Sequence, residues 1–142
     1  MTSDRDFADT SRASGSQTAP WASEDLRRLG DVRELAIAGP RPDGTRAAWT
    51  PIWVVVVGDG VFVRTWQRRT TGWYGRAVAA GRAWIELAGD AVEVVLEATG
   101  DDPGDAADAV DAAYRAKYAG AGAESMTTAE SRASTLRLAR TR

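Results

Sequence analysis

The chain contains no cysteine and no histidine. Without cysteine it has no disulfide frame and no thiolate chemistry. Without histidine it lacks the Ser-His-Asp and Cys-His constellations, the usual acid–base side chain and the common zinc sites. Lysine is nearly absent too, Lys117 being the only one, so the cations are almost all arginine. No long hydrophobic run occurs. The longest, Ile52 to Val57, is far too short to span a membrane. Residues 1–20 lack the basic-then-apolar layout of a signal peptide, and a cytoplasmic protein without membrane partners is expected. Excess positive charge is also missing. The net charge of −2 and a pI near 5.2 argue against a general nucleic-acid or polyanion binder.

What is present suits one domain with a hydrophobic core: 142 residues, 44% hydrophobic and 27% charged. Residues 1–20 are rich in Ser, Thr, Asp and Gly without periodicity, and read as a disordered leader. Residues 21–142 contain no internal repeat and no dividing linker, and read as a single domain.

Four of the six tryptophans fall between Ala48 and Gly81. Ala47 to Val57 reads as a long strand, with Pro51 placing it near an edge, a bulge or its own start. Its run Ile52-Trp53-Val54-Val55-Val56-Val57 does not alternate, so both faces need burial. Gly58-Asp59-Gly60 is a tight hairpin signal, with Val61 to Trp66 returning. A turn on Asp59-Gly60 sets Arg64 opposite Val55; a turn on Gly58-Asp59 sets it opposite Trp53. In either register Arg64 shares its strand side with Phe62 and Trp66. A buried arginine there requires an anion or a dense set of acceptors.

Helices are expected from Trp21 to Gly30, capped by Ser23, over Gly72 to Ala80, and from Asp102-Pro103 towards Gly120. The last carries the stripe Ala106, Val110, Ala113, Tyr114 and Lys117, with Asp111 and Arg115 as an i,i+4 pair. Thr127 to Glu130 matches a capping box before a short turn. Further strands are expected at Val32–Ala38, Arg82–Ala88, Ala91–Thr99 and Thr135–Ala139. Gly89-Asp90 would make the turn between the middle two.

Candidate chemistry centres on Arg64, Arg68, Arg69, Thr70, Thr71 and Arg76. Arginine forks match phosphate oxygens, and a helix start at Gly72 offers free N–H groups. Trp53, Trp66, Trp73 and Tyr74 could form an aromatic platform, though core or dimer-interface packing explains large aromatics more readily. Asp101, Asp102, Asp105, Asp108 and Asp111 suit a helix N-terminus better than a metal, and no metal is expected. Tyr74, Tyr114 and Tyr118 are the tyrosines available as acids.

PRPDG at 40–44, TPIWVVVVGDGVFVRTW at 50–66, GWYGRAV at 72–78, AVDAAYRAKY at 109–118 and MTTAESRASTLRL at 126–138 together resemble the bacterial domain-of-unknown-function 2255 family. AVDAAYRAKY is the most specific part. That family is grouped with the FMN-binding split β-barrels, near the pyridoxamine-phosphate oxidase-like and deazaflavin-dependent nitroreductase-like proteins. The resemblance implies an α+β fold, a six-or-so-stranded split β-barrel with two to three flanking helices. It also implies a homodimer with cofactor sites at the subunit interface, and FMN or a deazaflavin as cofactor.

The function expected is a flavin- or deazaflavin-binding oxidoreductase acting on a small organic molecule. Arg64, Thr65, Arg68, Arg69 and Thr71 would hold the phosphate; Trp66, Trp73 and Tyr74 would border the ring. The alternative is a non-catalytic split-barrel dimer that binds a small anion or no cofactor. Whether the protein is an enzyme is left open by the residues alone.

Overall fold

The computed structural model describes residues 18–65, 72–100, 104–120 and 122–141. Eight strands form one antiparallel sheet: β1 (Thr18–Ala19), β2 (Leu35–Ala38), β3 (Thr50–Ile52), β4 (Val55–Val57), β5 (Gly60–Val63), β6 (Arg82–Leu87), β7 (Asp90–Ala98) and β8 (Leu136–Thr141). Among the described residues four α-helices accompany them: α1 (Ser23–Asp31), α2 (Gly72–Ala80), α3 (Gly104–Lys117) and the short α4 (Ala129–Ala133). A 3₁₀ turn, Ala123–Met126, precedes α4.

The sheet order is β3-β2-β6-β7-β8-β5-β4, with β1 added beside β8. Its two outer strands, β3 and β4, are neighbours in the chain, separated only by Trp53 and Val54. Three Cα steps span at most about 11 Å. The sheet therefore curls until its edges meet, giving a split β-barrel.

The strand expected over residues 47–57 is thus two strands facing different neighbours. β3 pairs with β2 and β4 with β5. That division, together with β1, raises the expected six strands to eight. Pro51 lies in β3, an outer strand, where its missing N–H is tolerated. Thr18 and Ala19 pair with Thr141 and Arg140, so regular structure begins inside the stretch read as a leader; residues 1–17 lie outside the described residues.

The non-alternating apolar run is explained by two cores, one on each side. Ile52, Val54 and Val56 pack into the barrel interior with Leu35, Ile37, Val61, Val63, Ile85, Val94, Leu136 and Leu138. Trp53, Val55 and Val57 point the other way, into a second cluster with Phe62, Val110, Tyr114, Tyr118 and Met126. The second cluster seats α3 on the outside of the β4–β5 hairpin.

Of the two hairpin registers, the structure adopts the turn on Gly58-Asp59: Val57 pairs with Gly60 and Val55 with Phe62. Gly58 carries the positive φ of 61°, as a type II′ turn requires at its first central residue. The β6–β7 turn falls on Ala88-Gly89, one residue earlier than expected, since Leu87 pairs with Asp90. Both turn residues have positive φ, 54° and 87°. Along β7, Val92, Val94 and Leu96 face the interior. Glu93 and Glu97 take the opposite side, as the alternation predicts.

Three local expectations are corrected. Ser23 is the first residue of α1, not its cap; Ala22 holds that position without a side-chain cap. Gly30 lies inside α1, which runs on to Asp31. The cap of α4 is Thr128, whose hydroxyl accepts from Ser131 N at 3.1 Å, not Thr127.

Candidate functional site

The arginine-rich stretch joins β5 to α2. Residues 66–71, which include Trp66, Arg68, Arg69 and Thr71, lie outside the described residues. Its two flanks both lead to the α4–β8 corner. The Thr65 N–H donates to Ser134 Oγ at 3.0 Å. The Thr65 carbonyl accepts from Ser131 Oγ and Ser134 Oγ, each at 3.0 Å. From the far side, the Tyr74 hydroxyl donates to the Ser134 carbonyl at 2.8 Å. Two points nine residues apart in sequence are thereby pinned to one serine.

Arg64 is enclosed, with 1% of its surface exposed. Nε donates to Thr135 Oγ1 at 2.8 Å, NH1 to Asp111 Oδ1 at 2.5 Å and to the Met126 carbonyl at 2.7 Å. NH2 reaches the Ala107 carbonyl at 3.3 Å, and the guanidinium carbon stands 5.7 Å from the Tyr114 ring centre. A buried arginine needs full compensation by acceptors, and here the protein itself supplies it. The expected phosphate role therefore does not fit Arg64, whose donors are turned inward to α3 and the C-terminal segment. Asp111 also lies 3.5 Å from Arg132 Nε, and Asp108 lies 3.0 Å from Arg132 NH2. Asp111 thus pairs with Arg64 and Arg132 across the fold rather than with Arg115 along its own helix.

The aromatic platform is divided between the two cores. Trp53 stacks on Tyr118, with centroids 4.1 Å apart and planes 5° from parallel. Trp73 meets Tyr74 edge-on at 5.4 Å, and both pack against the barrel interior. Tyr74 is buried there, while Trp73 keeps part of its surface exposed. α2 sits tightly on Gly39: a Cβ at that position would lie 2.9 Å from Arg76 Cβ and 3.0 Å from Ala77 N. Arg76 remains exposed on the outer side of α2.

AVDAAYRAKY is a clasp on the barrel seam. Tyr118 Oη accepts from Val54 N at 3.1 Å. Its own hydrogen goes to the Arg33 carbonyl at 2.8 Å, with the Val54 carbonyl the alternative at 3.2 Å. Lys117 Nζ donates to the Val54 and Leu29 carbonyls at 2.7 and 3.1 Å. Val54 lies in the gap between β3 and β4, where neither sheet partner serves it, so Lys117 at the end of α3 and Tyr118 just beyond it satisfy its backbone groups.

Titration follows these placements. Burial lowers the Lys117 pKa to about 8, with Arg33 adding to the effect and Asp31 opposing it. Burial raises the Tyr114 pKa, opposed by the Arg64 charge. Among the described residues its hydroxyl meets the geometric criteria for a hydrogen bond with none. Burial likewise raises Tyr118, opposed by its hydrogen bond to Val54. Tyr114 and Tyr118 are packing residues in the second core, so neither is placed to act as an acid on a ligand.

Sequence reasoning missed Ser131, Ser134 and Thr135 as anchors of the arginine-rich stretch. The stretch MTTAESRASTLRL held the signal, three hydroxyl residues bracketing the corner, but their partners are some seventy residues away. Among the described residues, no helix is long and apolar enough to cross a membrane.

The fold is shared with a conserved hypothetical protein from Mycobacterium tuberculosis. The TM-score is 0.55 at 14% identity, covering 87% of this chain and 81% of that one. An F420 reductase aligns with TM-score 0.49 at 14% identity, over 85% of this chain and 94% of its own. A FAD and heme binding protein from Mycobacterium smegmatis aligns with TM-score 0.48 at 19% identity, over 88% and 68%. No curated protein matches the chain in sequence. The model for uncharacterized proteins conserved in bacteria (DUF2255) matches residues 25–138, most of the barrel and its flanking helices, and the chain belongs to that family.

Proposed function

We propose that the protein is an oxidoreductase-like binder of a flavin or deazaflavin, reducing or oxidising a small organic molecule, with the cofactor's anionic end at the arginine-rich stretch before α2. The observation that carries this reading is the double anchorage of that stretch. Thr65 and Tyr74 are both fastened to Ser134, and in the sequence an arginine pair and a threonine, Arg68, Arg69 and Thr71, fall between these two anchored residues, ahead of α2. Backbone N–H groups at such an end favour phosphate. Arg68, Arg69 and Thr71 take the phosphate role in this reading, and the partly exposed Trp73 borders the ring. Arg64 and Tyr74 hold the flanking segments in place in this reading, and Thr65 anchors the start of the stretch. When bound, a flavin or deazaflavin supplies the redox chemistry itself, which suits a chain with neither histidine nor cysteine. A homodimer completing the site belongs to the same proposal.

The test is the visible spectrum of the purified protein, with thermal melts in the presence of FMN and of a deazaflavin. Binding at a hundredfold excess over Kd stabilises by about 2.7 kcal/mol, a clear rise in Tm. The Arg68→Ala/Arg69→Ala variant should lose that rise while melting normally without ligand. A colourless protein unmoved by either cofactor would sink the proposal. The rival reading, a non-catalytic barrel holding a small anion or nothing, is favoured by the inward saturation of Arg64. It predicts no shift with either cofactor. A sedimentation measurement showing a monomer would remove the interface geometry.

A further inference from the structure

A cleft of about 230 Å³ lies between the first half of α3 and the outer face of β5, β8 and β7. Register fixes which side chains look into it. Phe62 pairs with Arg137 and Arg137 with Glu97, so the three stand in one row across the sheet, on the side of the second core. Their chain neighbours Val61, Leu138 and Leu96 face the barrel interior instead. Thr135 and Thr99, two residues from Arg137 and Glu97, take the same outer side, where the Thr99 N–H meets the Thr135 carbonyl at 3.0 Å. α3 closes the cleft with Ala106, Ala107 and Val110, so the wall facing the sheet is apolar and built of short side chains.

Arg137 and Glu97 are directly opposite each other on β8 and β7, the placement in which opposite charges pair. They do not pair. Arg137 runs over Gly60, where a Cβ would lie 3.3 Å from its Nε, and reaches Asp59 at 3.6 Å. Asp59 is 91% exposed, so that contact is weak. Glu97 has no ion pair or side-chain hydrogen bond among the described residues, and the Thr99 hydroxyl has none either. A positive and a negative group thus stand apart at one cleft, each with bonding capacity left over. A lone anion would meet repulsion from Glu97, and a lone cation from Arg137. A molecule that carries both signs satisfies both.

We infer that this cleft binds a small zwitterion, a free α-amino acid with an apolar side chain. Its carboxylate meets the Arg137 guanidinium. Its ammonium meets Glu97, with the Thr99 hydroxyl accepting a second N–H, and its side chain lies against Ala106, Ala107 and Val110. The volume falls below the roughly 300 Å³ at which pockets for larger organic molecules begin, which suits a single amino acid rather than a nucleotide. None of the residues assigned to the cofactor takes part.

The test is a titration of the ¹⁵N-labelled full chain at pH 7 with L-leucine, followed by amide shifts. Isocaproate, which lacks the ammonium, and isoamylamine, which lacks the carboxylate, are titrated beside it. Leucine should give saturable shifts at Glu97, Thr99, Val110 and Arg137. Each analogue should bind at least about fivefold more weakly, the scale of one partly exposed charge pair. Glu97→Gln should weaken leucine by about fivefold without weakening isocaproate, and Arg137→Gln should weaken leucine equally without weakening isoamylamine. An unchanged Tm in both variants would show the fold intact. Absence of a saturable shift, equal binding of leucine and its analogues, unchanged leucine affinity in either variant, or shifts confined to other amides would each overturn the inference. Because neither substitution touches the arginine-rich stretch, failure here leaves any FMN or deazaflavin shift as it was.

Discussion

Arg64 shows how far one buried charge organises its surroundings. Its donors draw on α3, the 3₁₀ turn and the residue before β8, so one side chain joins three segments. Removing one partner of such a pair leaves the other charged and unpaired, which costs about 3–5 kcal/mol. Arg64→Ala and Asp111→Ala should each lower stability on that scale in urea melts. Arg64→Met/Asp111→Leu should cost much less than the two single losses summed, because neither charge is then orphaned. Additive losses would show that the pair is not coupled.

Lys117 makes a pH prediction at the same scale. Its pKa is near 8 in the fold against 10.5 in the open chain. Between those values the unfolded chain holds more protons, so stability rises with pH. The gain is complete above about 10.5 and is lost as pH falls through 8. The buried tyrosines act in the opposite sense. Their raised pKa values favour the fold below about 10 and withdraw that support above it. Urea midpoints should therefore climb from pH 7.5 to 9.5, and Lys117→Met should flatten the climb. An equal slope in both proteins would dissociate it from Lys117.

Among the elements, the β6–β7 hairpin carries a visible cost. Ala88 has φ of 54°, a left-handed conformation that alanine adopts poorly and asparagine accepts more readily. Ala88→Asn should stabilise by about 0.5–1 kcal/mol, read as an increase in Tm without change in the spectrum of the folded state. A fall in Tm would mean that a neighbour constrains the side chain. The β4–β5 hairpin avoids that cost by placing glycine at its positive φ. The same glycine explains its register: Gly58 and Gly60 offered two turns, and the one adopted puts Phe62 opposite Val55 in the second core.

The whole molecule depends on closing a sheet whose two edges are one chain segment. The seam at Trp53-Val54 has no strand partner among the described residues, and Lys117 at the end of α3 and Tyr118 just after it provide its hydrogen bonds. Tyr118→Phe keeps the stacking on Trp53 but strands the Val54 amide, at about 1–3 kcal/mol for a buried unsatisfied group. The expected outcome is a matching drop in stability, with faster hydrogen exchange centred on Val54 and Val55. Protection there equal to wild type would show that the seam closes without the tyrosine.

Much of this architecture was legible from local pattern. The doubly apolar run announced burial on both faces, the alternation in β7 announced its inner side, and Gly58-Asp59-Gly60 announced a hairpin. Period and turn chemistry are properties of neighbouring residues, and neighbours are what a sequence displays. The sequence also posed the question of Arg64 correctly, as a charge that demanded an anion or many acceptors. Only the tertiary structure chose between them, because Asp111, Met126 and Thr135 lie some 47 to 71 residues away. The division of residues 47–57 into two strands was hidden for the same reason. Nothing local distinguishes one long strand from two edges of a closing sheet until distant partners take their places.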